Sequence, residues 1–128
     1  MIILLDTSTP VCKLYLLDGD VHYESQWQAD RALARGLLTF IRGQLSQQGW
    51  AWSDISGIGV FRGPGSFTGL RIGVTVLNTL ANAEKIPIVG TDGATWKQLA
   101  MDRLRNDDND QIVLPLYGSE AHITAARK

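Results

Sequence analysis

The sequence predicts an α/β domain in which helices cover the faces of a mixed five-stranded sheet. Three observations lead there. The first 28 residues hold three short β-prone runs separated by turn residues. From residue 30 onward, helical and strand patterns alternate. The apolar strand runs Gly57–Phe61 and Ile86–Gly90 are each followed by a glycine-bearing turn and then a helix, the order expected when helices pack back onto a sheet.

Ile2 to Leu5 is a continuous apolar run that ends in Asp6-Thr7-Ser8-Thr9-Pro10, and so reads as a strand entering a turn. Val11–Leu17 and Val21–Gln28 flank Asp18-Gly19-Asp20 and read as a hairpin. A helix is expected from Asp30, as N-cap, to Gln48, with Gly49 as its stop. Its apolar positions Leu33, Leu37, Phe40, Ile41 and Leu45 recur at helical spacing, and Gly36 and Gly43 leave room for close approach of another segment. Ser53-Asp54-Ile55 reads as a capped turn and Gly57–Phe61 as a strand. A second helix is expected from about Thr68 to Glu84, a strand at Ile86–Gly90, and a third helix from about Gly93 to Leu104. Asn106–Asp110 reads as a solvated turn, and Ile112–Tyr117 and Ala121–Ala126 as a last pair of strands. The order β-β-β-α-β-α-β-α suits a ribonuclease-H-like lobe of the type found in actin and sugar kinases (the ASKHA group), which by itself assigns no activity.

With 128 residues, 45% of them hydrophobic and 20% charged, the chain suits one folded domain. A net charge of −1 argues against a domain that grips nucleic acid unaided, since phosphate neutralisation calls for a basic excess. No apolar run approaches the roughly 18 residues of a spanning helix, so no membrane role is expected. MIILLDTS reads as a buried strand rather than a leader. One cysteine, Cys12, forbids an intrachain disulfide, and with these features favours the cytoplasm. Cys12 itself, on an apolar strand, is expected to be structural.

Chemistry is sparse. Asp6, Thr7 and Ser8, where the first strand turns back, are weak candidates for holding phosphate or a nucleotide; a turn that satisfies its own backbone is the commoner reason for such residues. Gly63, Gly65 and Ser66 belong to Gly63-Pro64-Gly65-Ser66-Phe67-Thr68-Gly69, a glycine-bearing entry into a helix whose N-terminus would attract an anion. The spacing is neither a Walker loop nor a dinucleotide fingerprint. No catalytic set, metal-ligand pattern or cofactor motif is present: His22 and His122 stand apart, and Asn106–Asp110 lacks a calcium loop's spacing. The second helix is unusual. Its apolar residues Leu70, Ile72, Val74, Val76, Leu77, Leu80, Ala81 and Ala83 spread over roughly 200° of its circumference, more than one sheet face needs. Either the first helix covers the excess or another protein does.

At Ile3-Leu4-Leu5-Asp6-Thr7-Ser8-Thr9, and above all at Arg62-Gly63-Pro64-Gly65-Ser66-Phe67-Thr68-Gly69-Leu70-Arg71-Ile72-Gly73, the sequence resembles the TsaB (YeaZ) family. That family is a degenerate relative of TsaD, the ATP- and metal-using enzyme that transfers threonylcarbamoyl to tRNA adenosine. The resemblance implies a non-catalytic subunit without a cofactor, which pairs with a TsaD homologue through its first two helices, with TsaE joining the assembly. A homodimer through the same helices is a further expectation. Partner contacts are expected among Leu33, Leu37, Val76 and Ala83. The old peptidase label that follows such sequences finds no machinery here. Residues 1–128 would form the first lobe, with about 111–128 starting a second lobe that is largely missing; a two-lobe ATP cleft could not then form within one chain. Where the family commonly has Lys-Gly-Leu-Ala, this chain has Asn78-Thr79-Leu80-Ala81. Two other readings compete: an independent ASKHA-type enzyme binding ATP or phosphate at Asp6–Thr9, and a self-associating scaffold unrelated to tRNA.

Overall fold

The computed structural model describes residues 1–116. Strand β1 (Ile2–Asp6) lies at the centre of a five-stranded sheet of order β3-β2-β1-β4-β5. It pairs antiparallel with β2 (Val11–Asp18), which in turn pairs antiparallel with β3 (Val21–Gln28) across a turn where Gly19 takes a φ of 60°. Its other side pairs in parallel with β4 (Gly57–Phe61), and β4 with β5 (Ile88–Thr91). The mixed five-stranded sheet is as the sequence predicts.

Alternation along β1 distributes its side chains between two cores. Ile3 and Leu5, with Leu14 and Leu16 of β2, meet helix α1 (Leu33–Gln47) and helix α2 (Phe67–Glu84) on one face. Leu4 and Leu17 meet helix α3 (Trp96–Arg105) on the other. The ladder Leu33, Leu37, Ile41, Leu45 is the buried stripe of α1, while Leu70, Val74, Leu77 and Ala81 are buried on α2. The two helices also pack on each other, which covers part of the wide apolar arc of α2. On the far face the close seat of α3 depends on Gly59: an added Cβ would lie 2.8 Å from Cβ of Ala100 and collide with Leu4.

Several element ends differ from the sequence expectation. Asp30 does not cap α1. The amides of Ala29 and Asp30 both donate to the Pro10 carbonyl, at 3.1 and 3.3 Å, which ties the chain to the β1–β2 turn. Asp30 then takes a φ of 47° at the start of a 3₁₀ turn (Asp30–Ala32), its carboxylate accepts from Gln28 Nε2 at 3.0 Å, and α1 begins at Leu33 with no side-chain cap. Strand β5 starts at Ile88 because the Ile86 amide is still bonded to Ala81 of α2 and Pro87 has none to give. Gly93, with φ 86°, makes a turn rather than the first residue of α3. The expected strand from Ile112 does not form within the described residues. The Asn78 side chain takes its place: Oδ1 accepts from the Val113 amide at 2.8 Å and Nδ2 donates to the Val113 carbonyl at 2.9 Å. The expected strand Ala121–Ala126, His122 and most of the proposed second lobe lie outside the described residues.

Asn106–Asp110 is more than a solvated turn. Arg103 of α3 donates through Nε to Asp108 at 2.6 Å, and through Nη1 to Asp110 at 3.1 Å and to the Gly90 carbonyl at 3.2 Å; Nη2 also donates to Asp110. The Arg103 hydrogen bond holds the Asp108 carboxyl below its ordinary value of 3.8. Burial pushes Asp110 up, but Arg103 and the Gly90 amide outweigh it and leave that carboxyl lowered as well.

Two outcomes follow from this packing. Gly59→Ala should cost about 1–3 kcal/mol in urea denaturation, as overpacking in a closed core does; an unchanged midpoint would sink the assigned role of Gly59. Depressed carboxyl values stabilise the fold above the unfolded aspartate value and lose that contribution as pH falls through the folded one. The urea midpoint should therefore drop below about pH 4, and Arg103→Met should flatten that drop. Equal acid sensitivity in both chains would contradict it.

Candidate functional site

The two segments with the most chemistry in the sequence are brought together at the C-terminal end of β1. Ser8 accepts the Ser66 amide on its carbonyl at 2.9 Å, joining the β1–β2 turn to the loop before α2. Thr7 is 1% exposed, and its hydroxyl donates to the Gly69 carbonyl at 2.7 Å. The absence of side chains at Gly69 and Gly73 allows this contact, because a Cβ at either would overlap Thr7. Asp6 Oδ1 accepts the Ser8 amide at 2.8 Å, and Ser66 Oγ accepts the Gly69 amide at 3.2 Å as the N-cap of α2. Gly63 has a φ of 121° and precedes a cis peptide to Pro64, while a Cβ on Gly65 would press on Ser8. The Asp6–Ser8 turn and the Gly63–Ser66 loop thus meet as one unit, in which the Thr7 and Ser66 hydroxyls and the Asp6 carboxylate bind nearby backbone.

Beside this junction lies a cleft of about 530 Å³, lined by Thr9, Pro10, Asp30, Arg31, Ser66, Thr68 and Ile72 among others. A second groove, of about 380 Å³, runs between the outer faces of α1 and α2 and is lined by Ala34, Phe67, Thr68, Arg71, Ile72, Thr75 and Val76. Leu38, 47% exposed, and Phe67, 54% exposed, stand among the large apolar side chains open to solvent. Among the described residues no three of His, Cys, Asp and Glu are grouped as a metal cage requires. No helix among them is long and apolar enough to cross a membrane.

Residues 27–118 match the family model described as TsaD, tRNA N6-adenosine threonylcarbamoyltransferase. The TsaB protein of Escherichia coli K12 is 35% identical over 92 residues, covering 70% of this chain and 38% of that protein. TsaB of Haemophilus influenzae is 30% identical over 105 residues, or 82% and 44% of the two chains. The structure of YeaZ from Pseudomonas aeruginosa superposes with a TM-score of 0.68 at 33% identity, over 83% of this chain and 49% of that one. The chain belongs to the TsaB (YeaZ) family. It spans about two fifths of the length of the two TsaB relatives just named.

In this TsaB-family chain, the four expected contact positions separate. Leu33 and Leu37 lie in the core, Leu37 at 0% exposure, because the i, i+4 ladder they start faces the sheet; they are corrected here from contact residues to supports. Val76 is half-buried at the groove and Ala83 is exposed. Leu38 and Phe67 were missed by the sequence reading. A helical wheel could have found Leu38, which is turned about 100° from Leu37 and so leaves the buried stripe. Phe67 follows the N-cap directly, and only the fold tells which way the first turn of α2 points. Gly36 does admit a close neighbour, since an added Cβ would lie 2.6 Å from the Trp27 ring; Gly43 faces open space.

Cys12 is buried, and burial, aided by the Asp6 charge, pushes its thiol up to about 12. The thiolate is the reactive form, so a disulfide-exchange reagent should label Cys12 orders of magnitude more slowly in native buffer than in urea. Rapid native labelling would count against a structural cysteine.

Proposed function

We propose that this chain acts in threonylcarbamoyladenosine modification of tRNA as a non-catalytic partner subunit that binds a TsaD homologue, with TsaE joining the assembly. One observation carries the reading. The inner stripes of α1 and α2 are already saturated by the sheet, yet their outer faces form an apolar groove bordered by Phe67 and Val76, with Leu38 exposed on α1. Such a surface suits a helix-on-helix contact whose centre is desolvated on binding. The same face would serve a homodimer. A cytoplasmic site of action accords with this role.

The lack of catalysis in this proposal has its own physical support. A protonated, buried Cys12 is a poor nucleophile, and the hydroxyls of Thr7 and Ser66 are engaged with the Gly69 backbone. Asp6, Thr7, Ser8, Gly63, Gly65 and Ser66 act as framework in this reading rather than as ligand contacts. The TsaB relatives carry names from threonylcarbamoyladenosine biosynthesis, and the chain covers less than half of each one named above.

Leu38→Glu and Val76→Glu should each weaken binding to a TsaD homologue by about a hundredfold or more in calorimetric titration, because an unpaired charge at a desolvated interface centre is costly. The far-ultraviolet circular dichroism of Leu38→Glu should match that of the parent, since the side chain is half in water already. ATP hydrolysis and peptide cleavage by the chain alone should stay at the buffer blank. Full-strength binding by both variants would move the interface elsewhere, and turnover abolished by Asp6→Ala would make the chain an enzyme.

A further inference from the structure

Helix α1 gathers its charge on one side. Arg35 and Arg42 are seven positions apart, so they project within roughly 20° of each other, and both are exposed. Leu38 comes three residues after the first and four before the second, spacings at which helical side chains lie side by side. On α2, Arg71 follows Phe67 by four residues, and both line the groove. The exposed apolar side chains Leu38 and Phe67 are thus flanked by arginine.

Among the described residues no carboxylate offsets these arginines. The ion pairs there go to Arg62, Arg103 and Arg105, and none reaches Arg35, Arg42 or Arg71. Helices α1 and α2 contain a single acid, Glu84, which ends α2 and stands beside Lys85. Just before α1, Asp30 and Arg31 cancel in charge. The net charge of the chain is −1, yet the border of this groove is positive. Apolar groups at the centre of an interface hold a partner, while charges at its border steer the right one in and turn others away. A two-fold pair sets one patch against itself. A second copy on this face would therefore set arginine against arginine.

We propose that the border arginines Arg35, Arg42 and Arg71 select a protein partner whose matching surface is apolar at its centre and acidic around it, in preference to a second copy of this chain. The proposal rests on the partner reading above and adds the chemistry of the partner's side. The apolar side chains standing among the arginines favour a protein over a phosphate backbone.

The test uses the 128-residue chain and a triple variant that combines Arg35→Glu, Arg42→Glu and Arg71→Glu. In analytical ultracentrifugation, a mixture of parent and variant should associate about tenfold or more tightly than either chain alone, since only the mixture opposes arginine to glutamate. Calorimetric binding of the parent to a TsaD homologue should weaken by about tenfold or more between about 50 and 500 mM sodium chloride. The triple variant should lose a similar factor at the lower salt. A mixture no tighter than the pure chains would overturn the selection, whatever the TsaD homologue does. Full-strength TsaD binding by the triple variant, with binding lost in Leu38→Glu, would also overturn it and leave the partner reading standing. Tight binding of tRNA by the parent alone, lost in the triple variant, would reassign the arginines to nucleic acid. Should the triple variant fail to fold, Arg35→Gln and Arg71→Gln should each flatten the salt dependence of TsaD binding, and unchanged slopes would overturn the proposal.

Discussion

Thr7 stands one residue beyond the central strand, shut off from water, with its hydroxyl on the carbonyl of Gly69, 62 positions later in the chain. That bond requires α2 to start almost in contact with the end of β1. The helix meets the requirement only because Gly69 and Gly73 present bare backbone there. Once α2 is so placed, its buried side chains fall over β1 and β4, and α1 must lie beside it to complete the same core. The route of the chain from β4 into α2 is constrained by the same contact. Ser66 caps the helix from a turn that is itself bonded to Ser8. A hydroxyl left unbonded at this depth would cost on the order of 1–3 kcal/mol, so the junction does not tolerate small shifts.

Much of this was legible in the sequence. The hairpin of β2 and β3, the alternation of helix and strand after residue 30, and the Gly63–Gly69 entry into α2 all follow from local pattern, and each element lies within a few residues of its expected place. The losses are of one kind. Asp30 has the side chain of an N-cap, but the Pro10 carbonyl captures its amide and bends the chain first. Ile112–Leu116 has the composition of a strand, but Asn78 and the Arg62 carbonyl take its backbone groups before another strand can. In both, a residue remote in sequence outbid the local preference, and periodicity carries no record of it.

The functional surface was legible to a lesser degree for the same reason. An apolar arc of some 200° showed that α2 has more hydrophobic surface than a sheet uses. It could not show how α1 would divide that surface. The packing assigns Leu33 and Leu37 inward and leaves Leu38 out, a difference of one residue on a helix. The Asp6–Ser8 and Gly63–Ser66 segments show the converse. Their chemistry was plain, and what the sequence lacked was the news that each is the other's partner.

The central place of β1 has a consequence for synthesis of the chain. Its antiparallel partner follows within a dozen residues, but its parallel partner is Gly57–Phe61. At about 5–20 residues per second, a nascent chain waits several seconds with one side of Ile-Ile-Leu-Leu unpaired. The β1–β3 meander therefore emerges with its most hydrophobic strand as a temporary edge, and it is in that interval that the chain has most need of a chaperone.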